Sequence, residues 1–160
     1  MNEKMKEMLS IMEEKGLTLA SVESLTGGLF GAILTEIPGA SKVYRGGSIV
    51  YSWQLKTELG VREETIARCG VVSQEVAAEL AIAGAKRLGA DIVISCTGNA
   101  GPTAEEGGKP VGAVYLGLVY QGSAWTIPLQ FGGDREAVRL ATVEAMTSFI
   151  MSLFPKEKNA

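Results

Sequence analysis

The stretch Ser21-Val22-Glu23-Ser24-Leu25-Thr26-Gly27-Gly28 constrains the fold of this chain more than any other. Ahead of it, Leu17 to Val22 reads as a short buried strand, and behind it Leu29 to Ile37 carries an apolar pattern of at least two helical turns. A strand passing into a helix through Ser-x-Thr-Gly-Gly sets a hydroxyl at the strand's carboxyl end. Two glycines allow close backbone approach to a ligand, and free N–H groups at the helix start favour an anion or a developing oxyanion. The same pattern describes an ordinary Ser/Thr cap followed by a glycine turn. On its own it fixes a crossover and leaves its use open.

The rest of the chain alternates in the same way. Met5, Met8, Leu9 and Met12 mark an amphipathic helix that ends at Lys15-Gly16, and Thr26 to Ile37 is the next helix, stopped by Pro38-Gly39. Val43 to Ser52 reads as a second strand in which Gly46-Gly47 signals a bulge or close backbone packing. Trp53 to Arg68 is one or two short helical pieces broken near Gly60, and Ser73 caps a long helix with Ala77, Ala81, Gly84 and Leu88 on one face. Ala90 to Cys96 is a continuous apolar run, the mark of a central strand covered on both faces. It empties into Thr97-Gly98-Asn99-Ala100-Gly101-Pro102 and a polar loop from Thr103 to Lys109. Val111 to Tyr120 and Ser123 to Phe131 flank Gln121-Gly122 and predict an antiparallel hairpin. Asp134 caps a last helix whose Val138, Ala141, Ala145 and Phe149 line up.

The expected fold is α/β: a three-layer α/β/α sandwich with a mixed, mainly parallel sheet of about five strands, in one domain over residues 1–160. Ligands in such sheets gather at the carboxyl ends of the parallel strands. Three loops converge there: Ser24 to Gly28, Ser52 to Lys56, and Thr97 to Pro102.

Composition narrows the chemistry. The net charge of −3 without a basic block disfavours nucleic acid and anionic membrane as partners. No apolar run approaches a membrane span, and Met1 to Lys15 lacks a signal peptide's apolar centre. The expectation is a cytoplasmic protein acting on a small molecule, with a homodimer suggested by its Trp, Met and aromatic residues. Cys69 and Cys96 stand alone, which argues against a disulfide framework or a cysteine-rich zinc site. Histidine is absent, so a serine nucleophile needs another base, and lysine is the alternative.

Lys56 follows the second strand and can face Ser24 across the pocket floor. As a base it must be neutral, which takes burial or a neighbouring cation; the competing reading is a solvated helix lysine. Thr97, Gly98 and Gly101 suit anion capture by backbone N–H groups, or form a plain strand-exit turn. Arg135 or Arg139 can reach an anionic ligand, Trp53 can stack on a planar ring or pack, and Glu23 can orient a pocket group or cap the turn. The chain has no Gly-x-Gly, and Gly108-Lys109 is followed by proline, so dinucleotide and Walker A fingerprints fail.

With these pieces in order, the chain resembles the CinA C-terminal domain family, whose members include nicotinamide mononucleotide deamidases. The resemblance runs from about Leu17 to Ser152. It rests on Glu23-Ser24-x-Thr26-Gly27-Gly28, Arg45-Gly46-Gly47 with Tyr51-Ser52 and Lys56, Thr97-Gly98-x-Ala100-Gly101-Pro102, Lys109-Pro110-Val111-Gly112, and Gly133-Asp134-Arg135. It implies a standalone deamidase domain that hydrolyses the pyridine nucleotide's carboxamide to a carboxylate and ammonia, with no cofactor and no metal. Ser24 matches the family's nucleophile and Lys56 its general base, Tyr51 can position or deprotonate Lys56, and backbone N–H groups near Thr26, Gly27 and Gly28 are candidate oxyanion donors. The phosphate falls to glycine-loop amides or to Arg135. The chain departs from the pattern at Leu25, where cysteine is usual, at Asn99, where an apolar residue is usual, and at Trp53-Gln54-Leu55, which replaces Asn-Glu-Ala. A binding module without turnover and an amidase for another carboxamide are the alternative readings.

Overall fold

Five strands make one sheet: β1 (Leu19–Glu23), β2 (Tyr44–Ile49), β3 (Ile92–Gly98), β4 (Ala113–Tyr120) and β5 (Ser123–Gln130), in the spatial order β2-β1-β3-β4-β5. The structure is a computed structural model that describes residues 1–157. β1 runs parallel to both β2 and β3, while β4 and β5 turn back on β3 as an antiparallel hairpin. The sheet is mixed, and its three parallel strands deliver their carboxyl ends to one edge.

Helices cover both faces, giving the three-layer α/β sandwich expected from the alternation. α1 (Asn2–Glu14), α2 (Leu29–Leu34) and α6 (Arg135–Met151) lie on one side; α3 (Trp53–Leu59), α4 (Glu63–Cys69) and α5 (Gln74–Leu88) lie on the other. The two-residue period of a strand produces this division. Leu19, Ile92 and Ile94 join Met5, Met8, Met12, Val138 and Met146 in one core. Their chain neighbours Ala20, Val22 and Val93 join Val76 and Leu80 of α5 in the other. That is why β1 and the run from Ile92 to Thr97 are buried throughout. A buried side chain of this size contributes about 1.5–3 kcal/mol, so Met5, Met8 and Met12, all inaccessible to solvent, tie α1 firmly to the sheet.

Small residues let α5 lie directly on the sheet. Ser95 Oγ donates to the Ala77 carbonyl at 2.6 Å. A Cβ on Gly117 of β4 would run into that same carbonyl.

Several boundaries differ from the sequence expectation. α2 begins at Leu29 and not at Thr26, because Gly27 and Gly28 take φ of +57° and +100° and make Thr26 to Gly28 a turn. Leu19 faces Tyr44 while Ala20 faces Gly46, so Arg45 is the extra residue of a bulge just before Gly46, and Gly46-Gly47 themselves pair in register with Ala20 and Ser21. In α6 the buried row is Val138, Thr142, Val143, Met146 and Ile150, and Ala141, Ala145 and Phe149 are only partly covered. Thr142 Oγ1 donates to the Val138 carbonyl at 2.7 Å and Thr147 Oγ1 to the Val143 carbonyl at 3.1 Å. With their hydroxyls satisfied inside the helix, these threonines pack as apolar residues. No helix among the described residues is long and apolar enough to cross a membrane.

Candidate active site

Two charged side chains are buried among the described residues, Glu23 and Lys56, and both serve the carboxyl edge of the sheet. Lys56 sits in α3, which Ser52 caps by accepting the Leu55 N–H at 3.2 Å. Helical side chains lean toward the helix N-terminus, and this lean carries the Lys56 amine back to the exit of β2. There Nζ donates to the Val50 carbonyl at 2.7 Å and the Tyr51 carbonyl at 3.0 Å. Its third contact is Ser24 Oγ at 2.9 Å.

Burial without a paired carboxylate lowers the Lys56 pKa from 10.5 to about 8, with the neighbouring Cys96 thiol opposing the change. The contacts then decide the orientation. A neutral amine has two N–H groups and one lone pair, and the two carbonyls can only accept. Both N–H groups are therefore spent on Val50 and Tyr51, and the lone pair faces the Ser24 hydroxyl. A general base for serine needs this arrangement.

The turn that carries Ser24 is held from both ends. Glu23 Oε1 accepts from the Phe30 N–H at 2.9 Å and Oε2 from the Gly31 N–H at 3.3 Å, so the strand's last residue caps α2 from below. From α6, Arg139 donates Nε to the Leu25 carbonyl at 3.0 Å and Nη2 to the Thr26 carbonyl at 2.9 Å. Gly27 and Leu29 N–H groups close the turn on the Ser24 and Thr26 carbonyls. The Leu25 and Gly28 N–H groups have no acceptor among the described residues.

The other predicted residues lie nearby but in different roles. The Thr26 hydroxyl points inward to Cys96 Sγ at 3.3 Å, and burial pushes that thiol's pKa up. The Tyr51 phenol is exposed and accepts from Arg135 Nη2 at 3.1 Å, so Tyr51 holds Lys56 through its backbone carbonyl and not through its ring. Arg135 Nη1 donates to the Gly101 carbonyl at 2.6 Å. Of the amides expected to capture an anion in the β3 exit loop, the Gly101 N–H is engaged internally with Asn99 Oδ1, and the neighbouring Asn99 N–H is given to the Ala113 carbonyl. The Thr97 hydroxyl is likewise given to the Val71 carbonyl at 2.9 Å.

A cleft of about 550 Å³ has Trp53, Gly98, Asn99, Glu105, Gly108 and Lys109 in its lining. Ser24 and Lys56 do not line it. It adjoins them through Trp53, one helical turn ahead of Lys56, and through Gly98 on the strand beside β1.

The family model described as the CinA C-terminal domain matches residues 1–154. The chain belongs to that family. A CinA-like protein of Kosmotoga olearia is 44% identical over 133 residues, 82% of this chain and 32% of its own length. A CinA-like protein of Dictyoglomus turgidum is 43% identical over 139 residues, 84% of this chain and 33% of its own. The chain thus spans about one third of the curated relatives it matches. Among solved structures, the competence/damage inducible protein CihA of Agrobacterium tumefaciens has a TM-score of 0.91 at 33% identity, covering 96% of this chain and 94% of that one. A competence or damage-inducible protein of Enterobacter asburiae has a TM-score of 0.93 at 30% identity, covering 96% and 97%.

Sequence reasoning missed two features of this CinA-family site. One is Arg139 as a clamp on the serine turn. Its spacing of four from Arg135 puts both on one side of α6, which is the signal that could have found it. The other is the carbonyl pair of Val50 and Tyr51, which leaves no trace in side-chain identity.

Proposed function

We propose that this chain is an amidohydrolase that converts nicotinamide mononucleotide to nicotinic acid mononucleotide and ammonia, with Ser24 as nucleophile and Lys56 as general base. The observation that carries this reading is the 2.9 Å contact between a buried, unpaired lysine amine and a serine hydroxyl at the end of β1. Neutral Lys56 takes the Ser24 proton as Oγ adds to the carboxamide carbon. The Leu25 and Gly28 N–H groups are the donors available to the resulting oxyanion. The Lys56 ammonium returns the proton to the leaving nitrogen, ammonia departs, and an acyl ester remains on Ser24. Water, deprotonated by the same amine, then releases the carboxylate and restores the serine.

The test is ammonia release from nicotinamide mononucleotide by wild type and by Ser24→Ala. Release that disappears in the variant supports the reading. Release of ammonia from other aromatic carboxamides but not from the mononucleotide moves the chemistry to a different substrate. Tight mononucleotide binding with no ammonia from any amide replaces the enzyme with a binding module.

A further inference from the structure

The lining of the cleft beside the dyad holds two unlike side chains, Trp53 and Lys109. Trp53 is 47% exposed, although an indole is among the side chains that gain most from burial. It is the first residue of α3, so the Ser52 cap that fixes the helix also fixes the indole one turn from the Lys56 amine. Lys109 is the only cation among the residues that line the cleft. It has no carboxylate partner among the described residues, Glu105 on the same wall included, and its Nζ stands 5.8 Å from the centre of the Tyr115 ring. That ring steadies the ammonium without neutralising it. Gly107 and Gly108 keep the adjoining wall free of side chains.

The nearby arginines are not free for a ligand. Arg135 is given to the Gly101 carbonyl and the Tyr51 hydroxyl, and Arg139 to the Leu25 and Thr26 carbonyls. An anionic group entering the cleft therefore meets Lys109.

We infer that the cleft selects a ligand that is flat at one end and anionic at the other, with Trp53 stacking on the ring and Lys109 holding the anion, a phosphate in the first instance. This deepens the amidohydrolase reading, on which it rests for the identity of ring and tail.

The experiment reads binding separately from turnover. The chain has two tryptophans, and Trp125 lies on β5, so a Trp125→Phe background leaves Trp53 as the sole indole reporter. Its fluorescence is titrated with nicotinamide mononucleotide, nicotinamide riboside and ribose 5-phosphate. The two ring-bearing ligands should quench it saturably and ribose 5-phosphate should not. Lys109→Met should weaken the mononucleotide about tenfold, the usual scale of one charge-assisted contact, leave the riboside unchanged, and be rescued by Lys109→Arg. By calorimetry, Trp53→Ala should weaken both ring-bearing ligands about tenfold and Trp53→Phe by no more than about threefold. Equal loss for mononucleotide and riboside in Lys109→Met, loss for neither, or no binding at millimolar ligand overturns the inference. Normal quenching without ammonia release upholds the cleft's role and removes the amidohydrolase reading. Ammonia release indifferent to both substitutions does the reverse.

Discussion

The Lys56 amine touches three oxygens and no solvent, whereas the Trp53 indole one helical turn away is nearly half exposed. Both are carried by α3, yet they are held in opposite ways. Lys56 is oriented by main-chain carbonyls, which no side-chain substitution at Val50 or Tyr51 removes. Trp53, at the first position of α3, and Lys109, in the connection between β3 and β4, are exposed. A site divided like this can change its ligand by exchanging exposed residues while the acid–base geometry stays fixed.

The hardest blow to the buried half is Lys56→Met. Ammonia release should fall about a thousandfold or more, since the base is lost and no other side chain contacts the serine hydroxyl. Initial rates at pH 8 and above measure it, and a variant of near-normal rate ends the assignment. In wild type, kcat/KM should rise with pH to half its maximum near 8, as the amine loses its proton. A profile flat from pH 6 to 9 means that another group is the base.

Stability carries the second signature. The Lys56 pKa is about 8 folded and 10.5 unfolded, so between these values the unfolded chain binds the proton that the folded chain has released. Wild-type stability, taken relative to Lys56→Met to cancel other groups, should therefore be lowest below about pH 8 and rise toward pH 10.5. The full change is roughly 3 kcal/mol, at 1.36 kcal/mol per unit. Denaturant melts of both proteins across that range would expose a contrary slope.

Glu23→Gln sharpens the comparison more gently. The amide keeps one acceptor for the Phe30 and Gly31 N–H groups but sets an NH₂ against the other, which should cost about 1–2 kcal/mol. Loss of rate beyond what unfolding explains would show that the cap also positions Ser24. The smallest effect belongs to the open half: Trp53→Phe should shift stability by no more than about 0.5 kcal/mol, because the indole packs into no core. A larger fall in melting temperature would mean that Trp53 is a structural residue after all.

Much of this was legible in advance. The apolar run through Ile92 to Cys96 and the methionine stripe of α1 each have a short-range cause, and each folds as its pattern predicts. The face of α6 was not legible, since Thr142 and Thr147 bury hydroxyls that only their own helix satisfies. Nor was the closure of the β3 exit, where the Asn99 N–H is taken by the distant Ala113 carbonyl, although the Gly101 N–H reaches Asn99 Oδ1 only two residues away.

The amino-acid order by itself determined the alternation of strand and helix, the crossover that ends in Ser24, and the absence of any histidine to serve it. Only the tertiary structure decided that the Lys56 amine lies 2.9 Å from the Ser24 hydroxyl, that two main-chain carbonyls take its other contacts, and that Arg135 and Arg139 are spent on carbonyls. The physical reason is range. Periodicity and capping act within a few residues, but a desolvated amine takes its character from backbone groups that meet it only when parallel strands bring their ends together.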